Sequence, residues 1–123
     1  MAVPVSRVAD FMATASAACE AAMPGIRVVA FGHVGDGNMH YNLTQPEGMA
    51  AAEFMARRSE LNALVHDIVA GLDGSFSAEH GIGCLKLEEM KRYKQPVELE
   101  LMRTIKTALD PTGIMNRGKV VPD

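Results

Sequence analysis

The chain has 123 residues, a length that suits one domain with a core of its own, and 48% apolar with 22% charged residues marks it as globular rather than disordered. A formal net charge of −3, with no run of Lys or Arg, argues against a protein that tracks a nucleic-acid backbone. No stretch of about 18 apolar residues is available to span a membrane, and the N-terminus lacks the basic start and apolar core of a secretory leader, so a cytoplasmic location is expected. Cys19 and Cys84 stand in no metal-type spacing and are expected to be reduced, partly buried thiols. The nine Met residues suit core filling.

In chain order, Val8, Phe11, Met12, Ala15 and Cys19 recur at three- and four-residue steps, which predicts a helix over 6–22, ended by Pro24-Gly25. Val28, Val29 and Phe31 suit a strand over 26–33. Asp36-Gly37 is a two-residue hairpin signal, with 38–43 returning as the second strand. Pro46-Glu47-Gly48 breaks the chain. Phe54, Leu61, Val65, Ile68 and Leu72 form one apolar stripe, which predicts a single helix over 50–72. Residues 75–79 are expected to be extended, with Gly81-Ile82-Gly83 a loop. A helix is expected over 85–93. A second starts near Pro96, which suits a first helical turn, and runs through Leu101, Ile105 and Leu109 to Asp110-Pro111. The tail from 112 should be irregular. The pattern is α+β: an antiparallel sheet with helices packed on one face, ferredoxin-like in layout. Two strands and a short third make a poor sheet alone. Further strands are expected from another chain or a preceding segment, and the open edges favour self-association into a homo-oligomer.

The hairpin His33-Val34-Gly35-Asp36-Gly37-Asn38-Met39-His40 carries the chemistry. With Asp36 and Gly37 as the two loop residues, Gly35 opposes Asn38, Val34 opposes Met39 and His33 opposes His40. Side chains alternate faces along a strand, so both imidazoles share one face with Asn42 and Phe31, while Val34, Met39, Tyr41 and Leu43 are expected to pack on the other. Directly opposed residues have Cβ atoms about 4.5–5.5 Å apart, close enough for two imidazoles to share one metal. The glycines also suit a phosphate-cradling loop, but no Lys or Ser/Thr follows and no helix starts there. Glu79-His80 forms a second constellation, beside a glycine-flanked turn. Glu79 offers an anionic third ligand and His80 a general base. Two imidazoles and a carboxylate with open positions are the ligand set of a catalytic site rather than a closed structural one. His66, mid-helix, reads as a surface or hydrogen-bonded histidine.

These residues resemble a known family. Residues 33–42 resemble a GH-x-GDGN-x-H-x-N motif. Ser77-Ala78-Glu79-His80-Gly81-Ile82-Gly83, followed by Lys86, resembles a second motif. Asp110-Pro111-Thr112-Gly113-Ile114-Met115-Asn116-Arg117-Gly118-Lys119 resembles a closing DP-x-G-I-x-NPGK motif, with Arg117 where Pro is usual. The family is the C-terminal domain of FAD-linked oxidases, which includes D-lactate dehydrogenases, the flavin subunit of glycolate oxidase and D-2-hydroxyglutarate dehydrogenase. The resemblance implies a partial C-terminal substrate or cap domain over 1–123, working with a flavin-binding domain or subunit that nothing here resembles. It implies FAD and a divalent metal, Zn or Mn, as cofactors. His33, His40 and Glu79 would hold the metal, Asn42 would bind a small 2-hydroxy-acid substrate, and His80 would take its hydroxyl proton. Asn116 and Lys119 would touch the flavin. Two other readings compete: a binding or assembly module of the same fold without redox activity, and a metal-dependent hydrolase using the same His and Glu residues to activate water.

Overall fold

The computed structural model describes residues 1–122. Its contacts divide it into two compact units, Met1–Glu79 and His80–Asp123.

In the first unit, a 3₁₀ turn at Val5–Arg7 leads into α1 (Val8–Ala22), which buries Val8, Phe11, Ala15 and Cys19. This is the three- and four-residue spacing read from the sequence. The stripe packs with Leu61, Val65 and Val69 of α3 (Arg58–Gly71), and with Met39 and Tyr41 of β2 (Asn38–Thr44), in one core. The Phe11 ring meets Tyr41 edge-on, centroids 5.3 Å apart, and the Tyr41 hydroxyl lies 3.0 Å from Ser16 Oγ. Burial pushes the Cys19 thiol up, so it stays protonated and packs as a small apolar group. Cys84 is exposed, contrary to the expectation for it.

The long helix expected over 50–72 is two helices, α2 (Ala51–Ala56) and α3, parted at Arg57. The Arg57 amide bonds Phe54 O in a tightened turn. Its guanidinium donates to Ala22 O at the end of α1 (3.0 Å) and to both Glu60 oxygens. The break therefore satisfies a carbonyl that the α1 terminus leaves open. His66, expected on the surface or bonded within its helix, is buried and faces the Phe76 ring at 5.9 Å.

Strand β1 (Arg27–His33) pairs with β2 antiparallel, giving the α+β class read from the sequence, but with a different hairpin register. Only Gly37 takes positive φ (68°); Asp36 does not, so no two-residue primed turn forms. Instead Val34–Asp36 make a 3₁₀ turn and Gly37 closes it in the left-handed region. The pairs become His33 with Asn38, Gly32 with Met39, Phe31 with His40 and Val29 with Asn42. His33 does not oppose His40; the two are diagonal neighbours. The shift is two residues, so the side chains that stay in the strands keep their predicted faces, whereas Val34, expected on the packed face, lies in the turn and is exposed.

The segment expected to be extended over 75–79 contributes only Ser75, bridged to Ala2, which also bridges Asn38. Residues 1–3 thus lie along the hairpin: Val3 N–H donates to Gly37 O (3.0 Å) and Met39 N–H to Met1 O (2.8 Å). Nothing in the composition of Met1-Ala2-Val3 signals this.

The second unit holds α4 (Leu87–Tyr93) and α5 (Pro96–Leu109), the former two residues shorter than expected at its start. Pro96 opens α5 behind a capping box in which Gln95 and Glu98 exchange bonds. Asp110 ends it. Its buried carboxylate accepts from Lys106 and from the amides of Ile114 (3.0 Å) and Met115 (2.9 Å). Lys106 first, and those amides, hold its pKa below the usual carboxylate range. A folded pKa below the unfolded one, near 3.9, adds stability that is present at neutral pH and is lost as pH falls through the folded value. Urea unfolding should show a drop in midpoint from pH 7 to pH 3 that is smaller in Asp110→Asn; an equal drop would contradict this role.

Candidate metal and substrate site

The β-sheet has two unlike faces. Val28, Ala30, Met39, Tyr41 and Leu43 turn to the core. The other face carries Val29, Phe31 and His33 on β1 and His40 and Asn42 on β2. Val29 and Phe31 stand 52% and 57% exposed there, so this face presents apolar side chains around polar ones, as ligand sites do.

His40 sits at the centre of this face. Its ring stacks on Phe31 with centroids 5.0 Å apart and planes 20° from parallel. Its Nε2 lies 2.8 Å from Glu79 Oε1, with the two side chains 29% and 42% exposed. Glu79 ends the first unit and His80, the next residue in the chain, opens the second. Two residues of the predicted ligand set are therefore together. His33 is exposed at the end of β1, on the same face but one diagonal step from His40, a residue separation of about 7–8 Å in such ladders. It belongs to no group of three close metal-type donors among the described residues. Asn42 is exposed two residues beyond His40 on the same face. Asn116 and Lys119 are exposed on the tail of the second unit.

Phe31 was seen from the sequence to share this face, but not as a partner of His40. The shifted register makes them directly opposed. The signal available was an aromatic two residues before His33, and only the correct loop length gives it meaning.

The donor chemistry fits a divalent cation. Adjacent ligands with bonds of about 2.0–2.2 Å lie roughly 3 Å apart in an octahedral arrangement, and the imidazole and carboxylate already stand at 2.8 Å. Their partial exposure leaves room for further ligands. A closed structural site would bury such donors.

Comparison with known proteins identifies the family to which the chain belongs. The profile of the FAD linked oxidases, C-terminal domain, matches residues 1–120. A D-2-hydroxyglutarate dehydrogenase of Stutzerimonas stutzeri (strain A1501) is 38% identical over 118 residues, 96% of this chain and 25% of the relative. A D-lactate dehydrogenase of Archaeoglobus fulgidus is 39% identical over 119 residues, 97% of this chain and 25% of the relative. The mitochondrial D-2-hydroxyglutarate dehydrogenase of Bos taurus is 43% identical over 95 residues, 77% of this chain and 16% of the relative. The chain thus spans a quarter or less of the length of these relatives. Among the described residues, no helix is long and apolar enough to cross a membrane. With nearly its whole length matched, the chain belongs to the family of FAD linked oxidases, as their C-terminal domain.

Proposed function

We propose that this chain is the substrate-side part of an FAD-dependent dehydrogenase that oxidises a small D-2-hydroxy acid, of the 2-hydroxyglutarate, lactate or glycolate kind, to the 2-oxo acid. The observation that carries the reading is the His40–Glu79 pair, an imidazole and a carboxylate at ligand spacing on an open sheet face. His40, Glu79 and, from its diagonal position, His33 would hold a divalent ion such as Zn or Mn. When bound, that ion lowers the pKa of a coordinated hydroxyl, and FAD accepts the hydride.

The rest falls to side chains. Phe31 keeps the His40 ring in plane, so that Nε2 faces Glu79. Asn42, two residues beyond His40, offers an amide donor and acceptor to the acid's carboxylate or hydroxyl. His80 is joined to Glu79 by one peptide unit, which places a second imidazole next to a ligand in the chain. A ring nitrogen of His80 takes the substrate hydroxyl proton as the α-hydrogen leaves as hydride. Asn116 and Lys119 would serve the flavin side. A cytoplasmic location is part of the proposal for this chain, although some relatives, such as the bovine one, are named as mitochondrial.

The test is anaerobic flavin reduction by the complete flavoprotein, with D-2-hydroxyglutarate, D-lactate, glycolate and their L-enantiomers where these exist. Bleaching of the flavin by at least one D-acid or glycolate is expected. No bleaching by any of them, with the metal site loaded, would overturn the reading.

A further inference from the structure

The chemistry assigned to the open sheet face leaves part of its apolar surface without a task. Val29 and Phe31 of β1 stand more than half exposed there, directly opposed to Asn42 and His40 of β2. Phe31 is occupied on one side, where its ring stacks on His40. Val29 belongs neither to the buried core nor to the side chains packed against it. Apolar surface next to polar, ligand-binding groups gains from being covered by the apolar part of a ligand.

The register says where a substrate would lie. His40 and Asn42 are two residues apart on β2, about 6.8 Å along the strand. With its hydroxyl at His40 and Glu79 and its carboxylate at Asn42, a 2-hydroxy acid has its C2 carbon between these two rows. Glu79 follows Ser75, which lies beside β2 through Ala2, so the metal-binding carboxylate comes from the β2 flank. On the other flank, β1 pairs with β2 alone among the described residues. The substituent on C2 is therefore left the β1 side, over the floor made by Phe31 and Val29.

We infer that Val29 and Phe31 select 2-hydroxy acids with an apolar substituent of two or three carbons over those with a second carboxylate, a selection that rests on the dehydrogenase reading of His40 and Glu79. The floor runs over two rows, about 6.8 Å apart. A methyl substituent covers it only in part, whereas a propyl chain reaches both side chains. The one Lys or Arg in the two strands is Arg27, on the same face but four residues before Phe31, about 13 Å along the strand. Its Nε donates to Gln45 O at 3.3 Å, beyond the end of β2 and away from His40. A second carboxylate on the substituent would rest on Val29 and Phe31, losing water without gaining a partner.

The test is kcat/KM of the complete flavoprotein for glycolate, D-lactate, D-2-hydroxybutyrate, D-2-hydroxyvalerate and D-2-hydroxyglutarate. The last two share one carbon chain and differ at its end, a methyl against a carboxylate. From lactate to hydroxyvalerate kcat/KM is expected to rise about threefold per methylene. The gain should lie chiefly in KM, because the floor holds ground and transition states alike. Hydroxyglutarate should fall about tenfold or more below hydroxyvalerate. Val29→Ala should cut the hydroxyvalerate-to-lactate ratio about threefold, and Val29→Lys should reverse the preference between hydroxyvalerate and hydroxyglutarate. Each ratio is taken within one variant, so it does not depend on the fraction of enzyme that is folded. A flat series from lactate to hydroxyvalerate, hydroxyglutarate turned over as well as hydroxyvalerate, or wild-type ratios in either Val29 variant would each overturn the selection while the dehydrogenase reading stands. Flavin reduction by none of the five acids would overturn both.

Discussion

Glu79→Ala should lower kcat/KM of the complete flavoprotein by about 10²–10⁴-fold, since a metal ion at the reacting oxygen supplies several kcal/mol of transition-state stabilisation. The loss should come with a fall in bound divalent ion, because Glu79 Oε1 stands 2.8 Å from His40 Nε2 and is the anionic member of the pair. His40→Ala should behave alike. His33→Ala should lose less metal than either, because His33 joins from a diagonal position and is outside the close donor group. The measurement is elemental analysis beside steady-state kinetics for the three variants. Wild-type metal content and activity in Glu79→Ala would remove the site.

Gly37→Ala should destabilise the chain by about 2–4 kcal/mol, a value reserved for backbone conflicts. A Cβ at Gly37 would stand 1.9 Å from Val3 O, and the residue holds φ 68°, where L-residues strain. The clash is with backbone, so no side chain can yield. Relief requires residues 1–3 to leave the hairpin, breaking the bond from Val3 N–H to Gly37 O and the Ala2 bridges to Asn38 and Ser75. Ser75 leads into the segment that carries Glu79, so the defect should reach the site as well. Gly35→Ala is the control: its Cβ would meet nothing within 4 Å. Denaturant unfolding of both variants decides; equal midpoints would contradict the account.

Much of this was legible in the sequence because it is periodic. The α1 stripe, the packed face of β2 and the Pro96 helix start follow from three- and four-residue spacing, alternation and a fixed φ. The same pattern could not show the break at Arg57, since helical periodicity passes through it unchanged. The break rests on a bond to Ala22 O, 35 residues away. The hairpin shows the limit most clearly. Asp36-Gly37 promises a two-residue turn, yet a four-residue connection with a 3₁₀ turn satisfies the same glycine. A shift of two residues preserves each face, so the face of the site was readable and its pairing was not. His40 thereby gains Phe31 as its neighbour and loses His33 as its opposite.

The most direct test of the proposed role is the rate of anaerobic flavin reduction by a D-2-hydroxy acid in the complete flavoprotein, measured as purified, after chelation, and after return of one equivalent of Zn or Mn. The geometry at His40 and Glu79 predicts that chelation abolishes the fast reduction and that one equivalent restores it, with no restoration in Glu79→Ala. Full-rate reduction in the chelated protein would contradict the assignment of this site.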